Sequence, residues 1–364
     1  MRIALDISSA ARAESTGVAM YIRRMLGGFA RAGSDHQFTL ITRASRWKNL
    51  LRRPELPGPN FRHKLFLERM HPLLSRSIDV FHGLDARLPG PWLKVPLVVT
   101  IHDVFSALQS EDFASAEFRE MKAGRYRDLV ARADRIICVS ECTRRDVLKT
   151  LNPDPAKLRV VHEAGSEEFF ARPDAEVQAA RARFGLDKPY FLFVGSLNKR
   201  KNVPAQVRAF ALAREKTKSD MLLAIAGRVG FGGEEIRAAI DAAGSDRVRF
   251  LGYVDNALLP ALLTGAHGLL FATLYEGFGI PALEAAACGC PVVGSTVGAQ
   301  PEVLGDASLL ADPASVDSIA EQIAKLMVDE TLRRSLIEKA QRRAKDFSWE
   351  KAGRECLEIY SELA

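Results

Sequence analysis

Residues 190–202 read YFLFVGSLNKRKN, an unbroken apolar run, a glycine, and then the cations Lys199, Arg200 and Lys201. A run without polar alternation is buried on both faces, as in a central strand of a parallel sheet. Gly195 and Ser196 permit a tight turn, so the three cations arrive where a helix should begin. The runs MLLAIAG (221–227), RVRFLG (247–252), GLLFAT (268–273) and PVVGS (291–295) follow, with helical segments between them. Upstream the same pattern is present: RIALDIS (2–8), FTLIT (38–42), DVFHG (79–83), PLVVTIHD (96–103) and RIICVS (135–140). Apolar helical spacing over Val18, Tyr21, Ile22, Met25, Leu26 and Phe29, and segments 113–132 and 142–150, supply the intervening helices.

Strands alternating with helices predict an α/β protein with parallel, doubly wound sheets. The pattern stops in NPDPAKLRVVHEAG and FFARPD and then restarts, so two domains are expected: 1–172 and 173–348, joined near Arg172 and Pro173. An amphipathic last helix, from about Trp349 to Ala364, could pack on either. Two such domains predict a cleft between the carboxyl ends of their strands, closing on its ligand.

A chain of 364 residues suits two domains, and 47% hydrophobic with 26% charged residues excludes a disordered chain. MRIALDISSA does not read as a signal peptide, and no window approaches about 20 apolar residues, so a cytoplasmic protein is expected. Five cysteines, an odd number, fit a reducing compartment. Cys138 with Cys142, and Cys288 with Cys290, lack zinc-knuckle spacing and read as small buried hydrophobes; no metal is expected. Charge is uneven: residues 1–165 hold 27 Lys and Arg against 18 Asp and Glu, the rest 24 against 27. A basic front half and a mildly acidic back half predict different partners for the two.

The cations of GSLNKRKN (195–202) suit a phosphate at a helix start, or else form a solvated basic turn; the P-loop spacing is absent. In YEGFGIPALEA (275–285), Gly277 and Gly279 allow backbone amides to approach a ligand, and Pro281 suits a first helical turn. Glu284 then lies about one turn inside the helix, and Glu276 in the loop before it. Carboxylates only accept hydrogen bonds, so hydroxyl groups are their natural partners. Amides and carboxylates opposite an Arg-Lys cluster describe a nucleotide-sugar site.

YEGFGIPALEA resembles the E-x7-E motif of retaining glycosyltransferases of family 4, which have the GT-B fold. TGVAMYIRRML (16–26), VVTIHDVF (98–105), VSECTRRDVL (139–148), GSLNKRKN, CGCPVVGS (288–295) and PEVLGDA (301–307) resemble that family's other motifs in order. The resemblance implies a metal-independent hexosyltransferase, mannosyltransferase-like, with a GDP- or UDP-hexose as co-substrate and no other cofactor. By it, Arg200 and Lys201 neutralise the diphosphate, Glu284 holds the ribose, and Glu276 stands at the donor sugar. The amides of Gly277, Phe278 and Gly279, with Ile280 following, meet sugar and phosphate; Gly17, Gly195 and Ser196 border the donor. Gly252 and Tyr253 lie where the nucleobase pocket forms, and His102 matches a histidine facing the transferred sugar. Asp103 reads as an organiser of its own loop. Ala19-Met20 replaces the family's Gly-Arg, and Gln300 stands for a hydrophobic residue, a change expected to be local.

The stretches 43–58 and 61–76 interleave Arg and Lys with Trp47, Leu50, Leu51, Phe61, Phe66 and Leu67. They read either as contacts to the anionic inner face of the cytoplasmic membrane, useful for a lipid-linked acceptor, or as amphipathic helices over the core. The expected function is hexose transfer to a glycan or lipid-linked acceptor in cell-surface polysaccharide or glycolipid synthesis. The alternatives are a GT-B epimerase or nucleotide-sugar hydrolase, or a non-catalytic protein binding anionic lipid or nucleic acid. The base-stacking patterns of RNA modules are missing, so no nucleic-acid partner is expected.

Overall fold

A computed structural model describes residues 1–11, 17–45, 52–66, 74–91, 93–105, 116–230 and 233–363. The chain forms two units, Met1–Glu163 with Phe347–Ala364, and Ala164–Asp346. The division falls between Glu163 and Ala164, nine residues before Pro173 is reached.

The described part of unit 1 holds a sheet of strands β1 (Arg2–Asp6), β2 (Gln37–Arg43), β3 (Phe61–Phe66), β4 (Val80–Gly83), β5 (Leu97–Ile101), β6 (Arg135–Cys138) and β7 (Leu158–Val160). Its order is β3-β2-β1-β4-β5-β6-β7, all parallel, so it reverses direction between β1 and β4. Helices α1 (Gly17–Ala32) and α2 (Ala116–Arg132) are the two used below.

Unit 2 repeats the plan with β8 (Tyr190–Val194), β9 (Leu222–Ala226), β10 (Val248–Gly252), β11 (Gly268–Leu270), β12 (Val292–Ser295) and β13 (Ser308–Ala311). The order β10-β9-β8-β11-β12-β13 reverses between β8 and β11. Every residue of β9, β11 and β12 is buried, which is why these strands read as continuous apolar runs rather than alternating ones. Helix α3 (Val203–Thr217) packs on this sheet through Val207 and Phe210, and α4 (Ile280–Ala287) follows the second switch-point strand.

The last helix, α5 (Trp349–Ser361), belongs to unit 1 and lies along α1. The two backbones touch. A Cβ on Gly28 would sit 2.1 Å from the Trp349 carbonyl oxygen, and one on Gly353 would sit 2.7 Å from the Gly28 carbonyl carbon. Beneath them is a closed polar chain. His82 is hydrogen-bonded through Nδ1 to Tyr360 Oη and through Nε2 to Thr100 Oγ1 (2.8 Å), and Thr100 Oγ1 lies 3.4 Å from Tyr21 Oη. All four side chains are buried.

Two sequence expectations are corrected here. Phe61–Phe66, expected to be helical or membrane-bound, is an edge strand paired in parallel with β2. Phe61 and Phe66, at the two ends of the strand, are buried, while Arg62 and Leu65 between them are exposed, so the basic-aromatic mixture belongs to a half-covered edge strand. The remainder of 61–76 through residue 73, and 46–51 of the other stretch, lie outside the described residues. NPDPAKLRVVHEAG is also more than a loop: it contains β7, three residues long. No helix among the described residues is long and apolar enough to cross a membrane.

Candidate active site

In doubly wound sheets ligands bind outside the carboxyl ends of the strands, where the order reverses. In unit 2 that point lies between β8 and β11. On one side of it the ends of β8, β9 and β10 are tied together: Gly195 N donates to Ala226 O (3.0 Å), and Gly227 N to Gly252 O (2.7 Å). Past Gly195 the expected cationic helix start is a single 3-10 turn, Lys199–Lys201. Asn202, left-handed at φ 55°, ends it, and Pro204 opens α3. Asn202 Nδ2 donates to Ala272 O (3.1 Å) and Pro313 O (2.8 Å), fixing the turn to the segment after β11.

The turn delivers Lys201 to Glu276. The Lys201 Nζ lies 2.6 Å from Glu276 Oε1, and Arg200 Nη1 lies 3.4 Å from Oε2 and 3.1 Å from the Tyr275 carbonyl. Leu274 N donates to Arg200 O (2.9 Å), so the two segments are zipped on both sides. Lys201 and Glu276 are 7% and 6% exposed. Burial pushes the Glu276 carboxyl up, but the charges of Lys201 and Arg200, with hydrogen bonds from Lys201 and Thr273, outweigh it and hold it below the ordinary value. The sequence puts these cations and this carboxylate on different parts of a ligand; in the structure they are partners.

Sequence reasoning missed what holds the Glu276 loop. Gln300, buried, donates from Nε2 to Phe271 O (3.0 Å) and Thr273 Oγ1 (2.9 Å), and its Oε1 accepts from Ser295 N (2.9 Å). A hydrophobic residue could make none of these bonds, so this departure braces the segment leading to Glu276. Gly298 is the second brace. At φ +71°, a Cβ there would lie 2.8 Å from Glu276 N and 2.9 Å from its carbonyl oxygen. Ala299 N donates to that same oxygen (3.0 Å). We expect Gly298→Ala to cost about 1–3 kcal/mol and to move the loop; a melting curve and nucleotide titration matching wild type would contradict this. The signal was present as a glycine just past a strand in GSTVGAQ.

Of the other expected residues, Gly277, Phe278 and Gly279 are buried beside Glu276, and Ile280 begins α4 behind a left-handed Gly279. Glu284, one turn into α4 and 8% exposed, accepts from Ser166 N at 3.3 Å. Ser196 is exposed near the Gly195 turn. Tyr253 is 60% exposed just past Gly252, with the Arg228 guanidinium 4.4 Å from its ring centroid.

In unit 1, Gly17 opens α1 and is exposed. His102 follows β5, with its Nδ1 2.9 Å from Glu163 Oε1 and its Nε2 3.0 Å from Leu84 O. Tyr21 meets the ring edge-on at 4.4 Å. Burial pushes the imidazole down, but the hydrogen bond and charge of Glu163, aided by Asp85 and the Leu84 carbonyl, raise it overall. Two acceptors on two ring nitrogens favour the doubly protonated, cationic form. Glu163, past the short β7, was not foreseen. Asp103 Oδ1 accepts from Phe105 N (3.2 Å), organising its own loop. The five cysteines are free and buried, and among the described residues no cluster of three His, Cys, Asp or Glu is placed to hold a metal.

Comparison with known proteins supplies the remaining observation. The family model described as glycosyl transferases group 1 matches residues 174–343, and that of glycosyltransferase family 4 matches 15–164. The O-antigen chain mannosyltransferase B of Escherichia coli is 30% identical over 286 residues, covering 78% of this chain and 74% of that protein. The D-inositol 3-phosphate glycosyltransferase of Salinispora tropica is also 30% identical, over 74% of this chain but 59% of its own length, so this chain spans under two thirds of it. Sucrose-phosphate synthase of Thermosynechococcus elongatus superposes with a TM-score of 0.78 at 20% identity, covering 100% of this chain and 98% of that one.

Proposed function

This chain belongs to the group 1 glycosyltransferases, and on that premise we propose that it is a retaining, metal-independent hexosyltransferase. Its donor is GDP-mannose, and its acceptor a glycan or lipid-linked sugar in cell-surface polysaccharide synthesis. The observation that carries this reading is the buried Lys201–Glu276 pair, with Arg200 beside it, at the switch point of unit 2. Two cations held at strand ends by a carboxylate form a preorganised seat for a diphosphate, which needs charge compensation as it leaves. The mannosyl donor follows the O-antigen relative named above.

In this mechanism the bond from the sugar's anomeric carbon to the diphosphate breaks, and its electron pair leaves on the diphosphate oxygen. The acceptor hydroxyl attacks the same face and passes its proton to that oxygen, so configuration is retained without a carboxylate nucleophile. Arg200 and Lys201 stabilise the departing charge. Glu276 keeps both cations in place and takes hydroxyls of the donor sugar. Glu284 accepts the ribose hydroxyls, with the Gly277, Phe278 and Gly279 amides on sugar and phosphate and Tyr253 beneath the base. We assign His102 an electrostatic and positioning role, because both its nitrogens already meet acceptors in Glu163 and Leu84.

A panel of GDP- and UDP-hexoses tested by thermal shift checks the donor, since a ligand bound only to the native state raises its melting temperature. GDP-mannose is expected to give the largest rise. Glu284→Ala should weaken nucleotide binding roughly tenfold or more, the loss of a charged hydrogen-bond partner. Unchanged calorimetric affinity in that variant would remove Glu284 from the site.

A further inference from the structure

The switch point of unit 1, between β1 and β4, holds a cavity of about 230 Å³ with no role assigned above. Ser9 lines it from the turn after β1, Asp85 and Arg87 from the turn after β4, and Lys122, Arg125 and Tyr126 from α2. The last three stand at i, i+3 and i+4, one face of a helix. Drug-sized ligands take about 300–1,000 Å³, so this space suits one small polar group such as a monosaccharide or polyol head.

The lining is built. Asp85 accepts from Ser9 Oγ (2.6 Å) and from Ala86 N (2.8 Å), and Arg87 Nε lies 3.7 Å from its carboxylate. Arg125 donates to the Ala86 carbonyl, and Tyr126 Oη to the Asp103 carbonyl (2.9 Å). Three cationic side chains therefore surround one carboxylate. Burial pushes the Lys122 ammonium below the ordinary lysine value, and the neighbouring charges of Arg125 and Arg87 push it further against Asp85 and Asp103. An anion in the cavity would relieve that repulsion, and the surplus of positive charge runs through the whole front half of the chain.

We propose that this cavity binds a phosphate and the hydroxyls next to it, so that the acceptor is a phosphorylated sugar or polyol. Lys122, Arg125 and Arg87 take the phosphate oxygens, and Asp85 accepts from an adjoining hydroxyl. This rests on the glycosyltransferase reading and names the acceptor class within it. The phosphate belongs either to a free sugar phosphate or to the head of a lipid-linked sugar.

The test is calorimetry on the full chain with inorganic phosphate, glucose 1-phosphate and methyl glucoside. Flotation with phosphatidylcholine vesicles, with and without a polyprenyl phosphate sugar, accompanies it. Glucose 1-phosphate is expected to bind, methyl glucoside not, and Lys122→Gln and Arg125→Gln each to weaken binding roughly tenfold. GDP affinity and melting temperature of both variants report on the donor seat and on folding. Capture only by the vesicles carrying the phosphate sugar, lost in both variants, supports the lipid-linked source; binding of the free compound supports the other. Phosphate affinities unchanged by both substitutions, equal binding of methyl glucoside, or no anion binding in either format would overturn the proposal. Loss of GDP binding by the wild type alone would instead strike the proposed function.

Discussion

Lys201→Met is expected to lower the stability of unit 2 by about 3 kcal/mol and to weaken nucleotide binding at least tenfold. Removing one partner of a buried ion pair leaves the other desolvated and uncompensated, which costs more than the pair itself contributed. Arg200 Nη1 stays 3.4 Å from Glu276, so part of the charge remains answered. For a unit of this size the change corresponds to a fall of roughly 6–12 °C in melting temperature. The two effects separate in a double variant. Lys201→Met with Glu276→Gln removes the stranded carboxylate, so most of the melting temperature should return while nucleotide affinity stays low. Recovery of affinity along with stability would mean that Lys201 acts on the fold and not on the donor.

The second large effect concerns acid. Burial, helped by the nearby charge of His102, drives the His82 imidazole down to about 3. In the unfolded chain a histidine titrates near 6.5. Between those values the unfolded state binds a proton that the native state refuses, so stability falls as pH drops through the window, by up to roughly 5 kcal/mol. His102 has the opposite sign: its raised value adds stability that is fully present below pH 6.5 and is lost as pH rises through the native value. Urea unfolding at pH 7 and pH 4 should show wild type losing about 3 kcal/mol more than His82→Gln. That difference is read between the two pH values, so the variant's own packing defect cancels. Equal losses would place the proton uptake elsewhere.

The long apolar runs of β8, β9 and β12 were legible because strands buried on both faces leave no alternation to confuse with a helix. The motif residues were legible because they follow those strands directly, where a doubly wound sheet brings its chemistry together. Short strands were not: β7 has three residues and β3 mixes charge with aromatics, so each lacks a period long enough to register. The site's supports were hidden for a different reason. Gln300, Gly298 and Glu163 act through contacts spanning tens of residues in sequence, such as Glu163 to His102, and only the folded backbone reveals them. Arg200, Lys201 and Glu276 were each picked out, but their direct pairing was not, since nothing local to either motif records the distance between them.

The backbone contact between Gly28 and Trp349 sets an order of events during synthesis. Unit 2 lies between the two parts of unit 1, so all its residues are translated before those of α5. Domains tend to fold as their residues emerge, and contacts closed across hundreds of residues form slowly. The first domain to begin is thus the last to be completed. Until then α1 exposes the face that α5 will cover, including Phe29, which meets Tyr360 in the finished unit. A chain truncated just before Trp349 and released should carry a native, protease-resistant unit 2 beside a unit 1 that holdase chaperones or proteases can still engage. Unit 1 therefore stays a client of chaperones until α5 has emerged and docked on α1.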